Sequence, residues 1–203
     1  MLLLKAFVIG LSIAAPVGPI GVLCIRRTLM FGRRIGFASG LGAATADAFY
    51  GAVAAFGLTM VFRFFVQNAR PLHLIGGILL LLIGIRTMVA RRDFAAAAEV
   101  APPGAALLPA YASTLFLTIT NPMTIISFAA VFAVIAPAGG LDFRSAVVTV
   151  VGVFLGSAAW WLVLSTGVGV VRQAAGARVL AWASRLSGGV IAGFGAAQLV
   201  ERT

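Results

Sequence analysis

Charged residues are scarce in this sequence. They make up 10% of its 203 residues, against about a quarter in ordinary soluble domains. Hydrophobic residues make up 62%, and the mean hydropathy is +1.11. A soluble domain of this length buries only part of its surface, so it cannot hide that much apolar area. The composition therefore excludes a soluble globular enzyme and a disordered chain, and it indicates an integral membrane protein with little mass outside the bilayer.

Cysteine and acidic residues are also rare. The single cysteine, Cys24, lies in an apolar run, so the sequence excludes an intrachain disulfide and a thiolate metal site and predicts a small buried residue there. Fifteen Lys and Arg against five Asp and Glu give a net charge of +10. A basic excess is typical of nucleic-acid binding, but these basic residues stand in short clusters between apolar runs, which is how membrane orientation is encoded. We therefore expect the lipid bilayer, and no nucleic acid, as a partner.

The apolar runs predict an all-α membrane protein with six transmembrane helices. A helix needs about 20 apolar residues to cross the hydrocarbon core, and six runs reach or approach that length: 4–25, 35–62, 71–90, 110–135, 145–171 and 179–200. The first run is too long for the apolar region of a signal peptide and carries prolines that such a peptide does not need. We therefore expect it to be a span.

The distribution of basic residues predicts the orientation, because Lys and Arg favour the cytoplasmic side. Ten lie in or beside the loops of one side: Arg26, Arg27, Arg33, Arg34, Arg86, Arg91, Arg92, Arg172, Arg178 and Arg185. Five lie on the other: Lys5, Arg63, Arg70, Arg144 and Arg202. The sequence thus predicts a multi-pass protein of the bacterial cytoplasmic (inner) membrane with both termini outside.

Weak self-similarity predicts an internal repeat. Residues 1–93 form a first three-span repeat, 94–109 a cytoplasmic linker loop, and 110–203 a second three-span repeat. Three spans per half give the halves opposite orientations. Spans 1 and 4 both carry helix breakers well inside the span: Pro16, Gly18 and Pro19 in one, Asn121 and Pro122 in the other. Spans 2 and 5 both carry a glycine, a polar residue five positions later and an aromatic residue three positions after that: Gly42, Asp47 and Tyr50, and Gly152, Ser157 and Trp160. Spans 3 and 6 both carry two glycines seven positions apart: Gly77 and Gly84, and Gly188 and Gly195. We predict two inverted three-helix repeats with broken helices 1 and 4.

The helix breakers predict a binding site. Proline lacks an N–H and clashes with the carbonyl four residues back, so Pro16, Gly18 and Pro19 should unwind about one turn. Freed backbone groups are costly in lipid unless they face protein or a wet cavity. The new helix ends would offer N–H groups to an anion and carbonyls to an ammonium. The alternative is a simple kink that improves packing. In inverted repeats the broken helices usually meet at the substrate site, where Asn121 and Pro122 would join from the second half.

Asp47 is the only acidic residue deep in a predicted span. An ionisable group at that depth is costly and by default a functional candidate. It is suited to bind a substrate ammonium or a metal cation, or to exchange a proton; the alternative is a structural partner for an arginine or a helix end. Tyr50 lies on the same helix face, where its hydroxyl is placed to donate to the carboxylate. We therefore predict a substrate site with these members: Pro16, Gly18, Pro19, Asp47, Tyr50, Asn121 and Pro122, with Asp47 also coupling a proton.

No enzyme constellation is present. The sequence holds no second buried carboxylate, no nucleophile elbow, no metal-spaced histidine cluster and no Walker phosphate loop. We therefore predict no enzymatic activity, no cofactor and no metal site, and any pumping must use an ion gradient. Arg86 and Arg185 stand near helix ends, where they either snorkel to the interface or bind a substrate carboxylate.

Taken in order along the chain, these motifs resemble the LysE/RhtB-type amino-acid exporter family. The carriers of the resemblance are Pro16-Val-Gly-Pro19, the basic stretch 26–34, Asp47 with Tyr50, and Asn121-Pro122. The resemblance covers the whole chain and implies export of an amino acid or related small molecule, driven by proton or ion exchange, with a homodimer among the assemblies it allows. Two departures, Val17 inserted before Gly18 and Met123 where many members have lysine, leave the substrate open.

Two other functions fit the same scaffold. One is export of a metal cation or inorganic ion. A divalent cation usually needs several oxygen or nitrogen ligands to replace its water, and the single buried acid counts against this function. The other is a non-transporting membrane assembly subunit, which would need no water-filled cavity between the halves.

Overall fold

The computed structural model describes residues 1–16, 18–89, 106–135 and 141–200. These residues form helices joined by short turns and breaks. In chain order the helices are α1 Leu2–Ala14, α2 Pro19–Phe31, α3 Arg33–Ala55, α4 Thr59–Gln67, α5 Ala69–Val89, α6 Leu107–Ile119, α7 Pro122–Ile135, α8 Phe143–Ala174 and α9 Ala177–Val200. The linker 94–109 lies mostly outside the described residues.

The first predicted break is confirmed. Helix α1 ends at Ala14, α2 begins at Pro19, and the two axes differ in direction by 81°. Pro19 occupies the first position of α2, where a missing N–H costs no helical hydrogen bond. Helix α2 then continues to Phe31, so the prediction that the first run ends before Arg26 and Arg27 was wrong; both arginines lie inside the helix.

The second predicted break is confirmed as well. Helix α6 ends at Ile119 and α7 begins at Pro122. The Asn121 carboxamide oxygen accepts a hydrogen bond from the Met123 N–H at 3.2 Å, which is the N-cap interaction that asparagine favours. In an unbroken helix that N–H would donate to the carbonyl of Ile119, so the break leaves this carbonyl in need of another donor.

The second run does not form one helix. Helix α3 ends at Ala55, and Gly57 adopts a left-handed conformation with φ of 64°. The Gly57 N–H donates to the Ala54 carbonyl at 3.0 Å, and the Leu58 N–H donates to the Val53 carbonyl at 2.8 Å. This pair of bonds is the Schellman motif that ends many helices at glycine. The predicted continuation to residue 62 was therefore wrong, and Thr59–Gln67 forms the separate short helix α4.

Four helix pairs carry most of the packing. Helix α1 lies along α8, α6 along α3, α3 along α8, and α5 along α9. Two of these contacts bring backbones together at glycine. A Cβ at Gly42 would overlap the carbonyl of Tyr111 on α6, and a Cβ at Gly152 would overlap Ala6 on α1. Cys24 is fully buried in the core beside Leu23, which confirms the prediction for the lone cysteine.

Two described helices, Arg70–Val89 and Phe143–Ala174, are long and apolar enough to cross a membrane by themselves. The bent pair α1 and α2 brings the number to three if it counts as one span. The described part of the chain is thus a helical protein with membrane-spanning segments, and the six-span layout stays a prediction.

Candidate functional site

A cavity of about 400 Å³ lies between the two helix breaks. The first break supplies Pro16, Gly18 and Pro19 to its wall, the second supplies Asn121, and α3 supplies Asp47. Five of the seven predicted site residues therefore line one cavity. Pro122 begins α7 at its edge, but its side chain lies outside the described set.

The cavity wall is largely apolar, with a small number of polar groups. Its apolar members come mainly from α1, α2 and α9: Ile13, Ala14, Ile20, Ala43, Met123 and Phe194. Its polar side chains are Asp47, Thr118, Asn121, Thr124, Ser127 and Trp161. Asp47 carries the one formal charge among these lining residues. Ligand sites are commonly built in this way, from apolar walls and a few oriented polar groups.

The Asp47 carboxylate is held by α8. It is 3% exposed, and its Oδ2 accepts a hydrogen bond of 2.7 Å from the Ser157 hydroxyl. Ser157 in turn accepts a hydrogen bond of 3.2 Å from the indole Nε1 of Trp161. Neither residue was predicted as a hydrogen-bond partner of Asp47. The repeat spacing did contain a signal, because it matched Asp47 to Ser157, and equivalent residues near the axis of a two-fold repeat can meet each other.

Tyr50 has a different role from the one predicted. Its hydroxyl donates to the carbonyl of Ile119 at 2.5 Å, not to Asp47. Since the second break deprives this carbonyl of its helical donor, Tyr50 supplies the missing hydrogen bond. The ring is 1% exposed and packs against Phe49, Phe65 and Phe128 with centroid distances of 5.5 Å in each case. Tyr50 therefore supports the cavity from behind.

The model of the LysE type translocator family matches residues 11–202, which is nearly the whole chain. The chain belongs to the LysE type translocator family. It is accordingly a multi-pass membrane transporter, and the family is one of transporters and not of enzymes. The resemblance drawn from the sequence motifs is confirmed at this level. No curated protein and no solved structure was found to match the chain.

In this LysE type translocator, Arg27 lies inside α2, although the sequence analysis placed it in a loop. Its Nη1 donates to Ser39 on α3 at 2.9 Å, and to the Ala110 carbonyl and the Thr114 hydroxyl on α6 at 2.9 and 2.7 Å. Its Nη2 donates to Ser113 at 2.8 Å. Arg27 thus fastens the helix that follows the first break to the helix that precedes the second.

Arg86 and Arg185 of the translocator are both exposed. Neither is among the residues that line the cavity, and this favours snorkelling over contact with a substrate. Within 1–16, 18–89, 106–135 and 141–200, no three or more His, Cys, Asp and Glu side chains come together as a metal site would require.

Proposed function

We propose that this translocator is a secondary-active exporter of an amino acid or amino-acid derivative across the bacterial cytoplasmic membrane, coupled to proton or ion exchange. The observation that carries the proposal is a single carboxylate, Asp47, on the wall of a cavity between two broken helices. An intramembrane acid beside discontinuous helices is the arrangement by which secondary transporters bind substrates and coupling ions.

The groups around the cavity suit the parts of an amino acid. The Asp47 carboxylate is the natural partner for an ammonium group. Ile20 and Gly21 belong to the first turn of α2 and also line the cavity. N–H groups of a first turn have no acceptor within their own helix and favour an anion, so they suit the substrate carboxylate. The apolar wall would then receive the side chain.

The transport cycle in this proposal uses six spans in two inverted halves with both termini outside. The helix packing supports it, because exchange of the halves turns the pair α1 and α8 into the pair α6 and α3. The matched glycines obey the same exchange, since Gly42 approaches α6 and Gly152 approaches α1. The hydrogen bond between the matched residues Asp47 and Ser157 also supports it, because equivalent residues near a two-fold axis can meet each other.

Efflux from proteoliposomes tests the proposal. We expect vesicles loaded with a panel of labelled amino acids to release at least one of them in response to a pH gradient, and Asp47→Asn to abolish the response to pH. Asp142→Asn is the matched control. Asp142 is exposed at the start of α8, and hydrogen bonds from the Ser145 side chain and from the Ser145 N–H lower the pKa of its carboxyl. It is therefore a second ionised aspartate far from the cavity.

Two outcomes contradict the proposal. Efflux that is the same in wild type and Asp47→Asn at every pH removes Asp47 from the mechanism. Release of divalent metal ions, with no release of any amino acid, establishes the metal-cation exporter in its place. The predicted partners are a small-molecule substrate and the bilayer; a homodimer stays a prediction, which the mass of the detergent-solubilised protein checks.

A further inference from the structure

Three buried side chains form one chain of hydrogen bonds at the cavity wall. The Trp161 indole N–H donates to the Ser157 hydroxyl at 3.2 Å, and that hydroxyl donates to Asp47 Oδ2 at 2.7 Å. Ser157 is 0% exposed, Asp47 3% and Trp161 4%. Water is therefore nearly excluded from the chain, and each link is stronger than the same bond in solvent.

The direction of this chain is fixed when Asp47 is ionised. An indole N–H can only donate, a serine hydroxyl has one proton to give, and a carboxylate can only accept. The Ser157 proton therefore points to Oδ2 of Asp47. A proton that binds the carboxyl leaves this hydrogen bond unchanged only if it binds the other oxygen, Oδ1.

The second carboxyl oxygen, Oδ1, is not used by the Ser157 hydrogen bond. Among the described residues, Ser157 is the only side chain that donates a hydrogen bond to Asp47, and this bond uses Oδ2. Asp47 and Trp161 both line the cavity. We therefore expect an ammonium or a proton in the cavity to reach Oδ1, while the hydrogen bond from Ser157 on α8 fixes the orientation of the carboxylate.

Tight packing holds the chain in place. A Cβ at Gly40 would overlap the side chain of Trp161, so Trp161 packs directly against the backbone of α3 at this glycine. Trp161 also belongs to the same core cluster as Leu23 and Ile191. Since the donor at the far end of the chain cannot move freely, the carboxylate at the near end is held in one orientation.

We propose that Trp161 and Ser157 are positioning residues that fix the Asp47 carboxylate, keep Oδ2 as an acceptor and present Oδ1 to the substrate amine or the coupling proton. This inference rests on the proposed function in its choice of ligand. The hydrogen-bond chain makes a prediction about protonation of Asp47 that can be measured without transport.

The surroundings of Asp47 contain few other ionisable groups. Tyr50, on the same helix, donates its hydroxyl to Ile119, and Tyr111 on α6 donates to Thr45. Arg27 on α2 directs its guanidinium to α3 and α6 hydroxyls and the Ala110 carbonyl. The lining residues contributed by α1, α2, α6, α7, α8 and α9 are uncharged. A change in protonation of the cavity wall therefore reports on Asp47.

The test is a pH titration of carbodiimide modification in the full chain, reconstituted in liposomes. Dicyclohexylcarbodiimide reacts with a protonated carboxyl, and mass spectrometry of the Asp47 peptide gives the modified fraction. In Ser157→Ala the anion loses a donor, so we expect the midpoint to rise by about one pH unit. In Trp161→Phe we expect a smaller rise, because Ser157 remains but is less polarised. The double variant should match Ser157→Ala alone, since Trp161 acts through Ser157.

Matched controls exist on the same helix. Ser165 is 1% exposed and donates to the Leu162 carbonyl, so Ser165→Ala removes an equally buried hydroxyl away from Asp47. Trp160→Phe makes the neighbouring change outside the chain. Both should leave the midpoint at its wild-type value. If Ser157→Ala does not fold, Ser157→Cys retains a weaker donor and should give an intermediate rise, and Trp161→Phe stands as a second independent variant.

Two results would overturn the inference: a Ser157→Ala midpoint equal to that of wild type, or a Trp161→Phe shift that persists in full when Ser157 is already alanine. These results are separable from failure of the proposed function. A chain that gives the expected titration but releases no amino acid contradicts the exporter alone. A chain that exports amino acids with unchanged titrations contradicts the positioning role alone.

Discussion

The two helix breaks differ in what pairs with the backbone groups that lose their helical hydrogen bonds. At the second break the freed groups find protein partners: Asn121 accepts from the Met123 N–H, and Tyr50 donates to the Ile119 carbonyl. At the first break, Gly18 caps α2 with no side-chain hydrogen bond, and the first turn of α2 faces the cavity through Ile20 and Gly21. The second break therefore pairs two of its freed groups inside the protein, whereas no side chain caps the N–H groups at the start of α2.

This difference implies a division of labour. A break whose polar groups are paired inside the protein contributes to stability and has little left to offer a substrate. A break whose groups face a cavity contributes less to stability and more to binding. Three substitutions test this contrast, from the largest expected effect to the smallest.

The largest effect is expected at Arg27, which connects the two broken regions. Arg27→Gln removes the guanidinium and leaves the acceptors on α3 and α6 without their donor, and we expect a loss of about 3 kcal/mol in the free energy of unfolding. Thermal unfolding in detergent measures it. Arg26→Gln is the matched control, because the buried Nε of Arg26 has no hydrogen-bond partner among the described residues. Equal losses in the two variants would contradict a connecting role for Arg27.

A smaller loss is expected at the second break. Tyr50→Phe keeps the ring in its aromatic cluster but leaves the Ile119 carbonyl unpaired, and we expect a cost of about 2 kcal/mol in stability. The same unfolding measurement applies. Tyr111→Phe is the matched control, since that hydroxyl reaches the Thr45 side chain, at 3.0 Å, and not a carbonyl freed by a break. A Tyr50→Phe protein as stable as wild type would show that the second break needs no such donor.

The smallest effect on stability is expected at the first break. A Cβ at Gly18 would meet no atom within 4 Å, and its φ of −96° suits any residue. Gly18→Ala should therefore change stability by less than about 0.5 kcal/mol, while the added methyl group enters the cavity and raises the KM for the exported amino acid. Parallel unfolding and efflux measurements check this. A large loss of stability with an unchanged KM would reverse the contrast between the breaks.

Local chemistry made much of this arrangement predictable. Proline and asparagine located both breaks, because their effects on a helix are set within one turn. The scarcity of acids singled out Asp47. The end of α3 was not predicted, although Gly57 indicates a helix end. Its neighbours are apolar, and an apolar run by itself does not distinguish a continuous helix from one that ends in a left-handed glycine.

Partners far apart in sequence could not be predicted in the same way. The hydrogen bond from Tyr50 to Ile119 depends on where α6 ends relative to α3. Arg27 was interpreted as a topology signal because clusters of arginine usually mark loops, and its acceptors lie on helices that only the tertiary fold brings near. The hydrogen bond from Ser157 to Asp47 likewise joins α8 to α3, two helices that only the tertiary fold brings together.

The backbone contacts at Gly42 and Gly152 have a mechanical consequence. Where two helices touch through their main chains, sliding one past the other meets atoms that cannot rotate out of the way. The pairs α3 with α6 and α8 with α1 should then each travel as one piece. Helix α2 is fastened to α3 and α6 through Arg27, so any motion that opens the cavity to alternate sides would have to occur in α7, beyond the second break. That segment would move while the glycine contacts hold the paired helices in place.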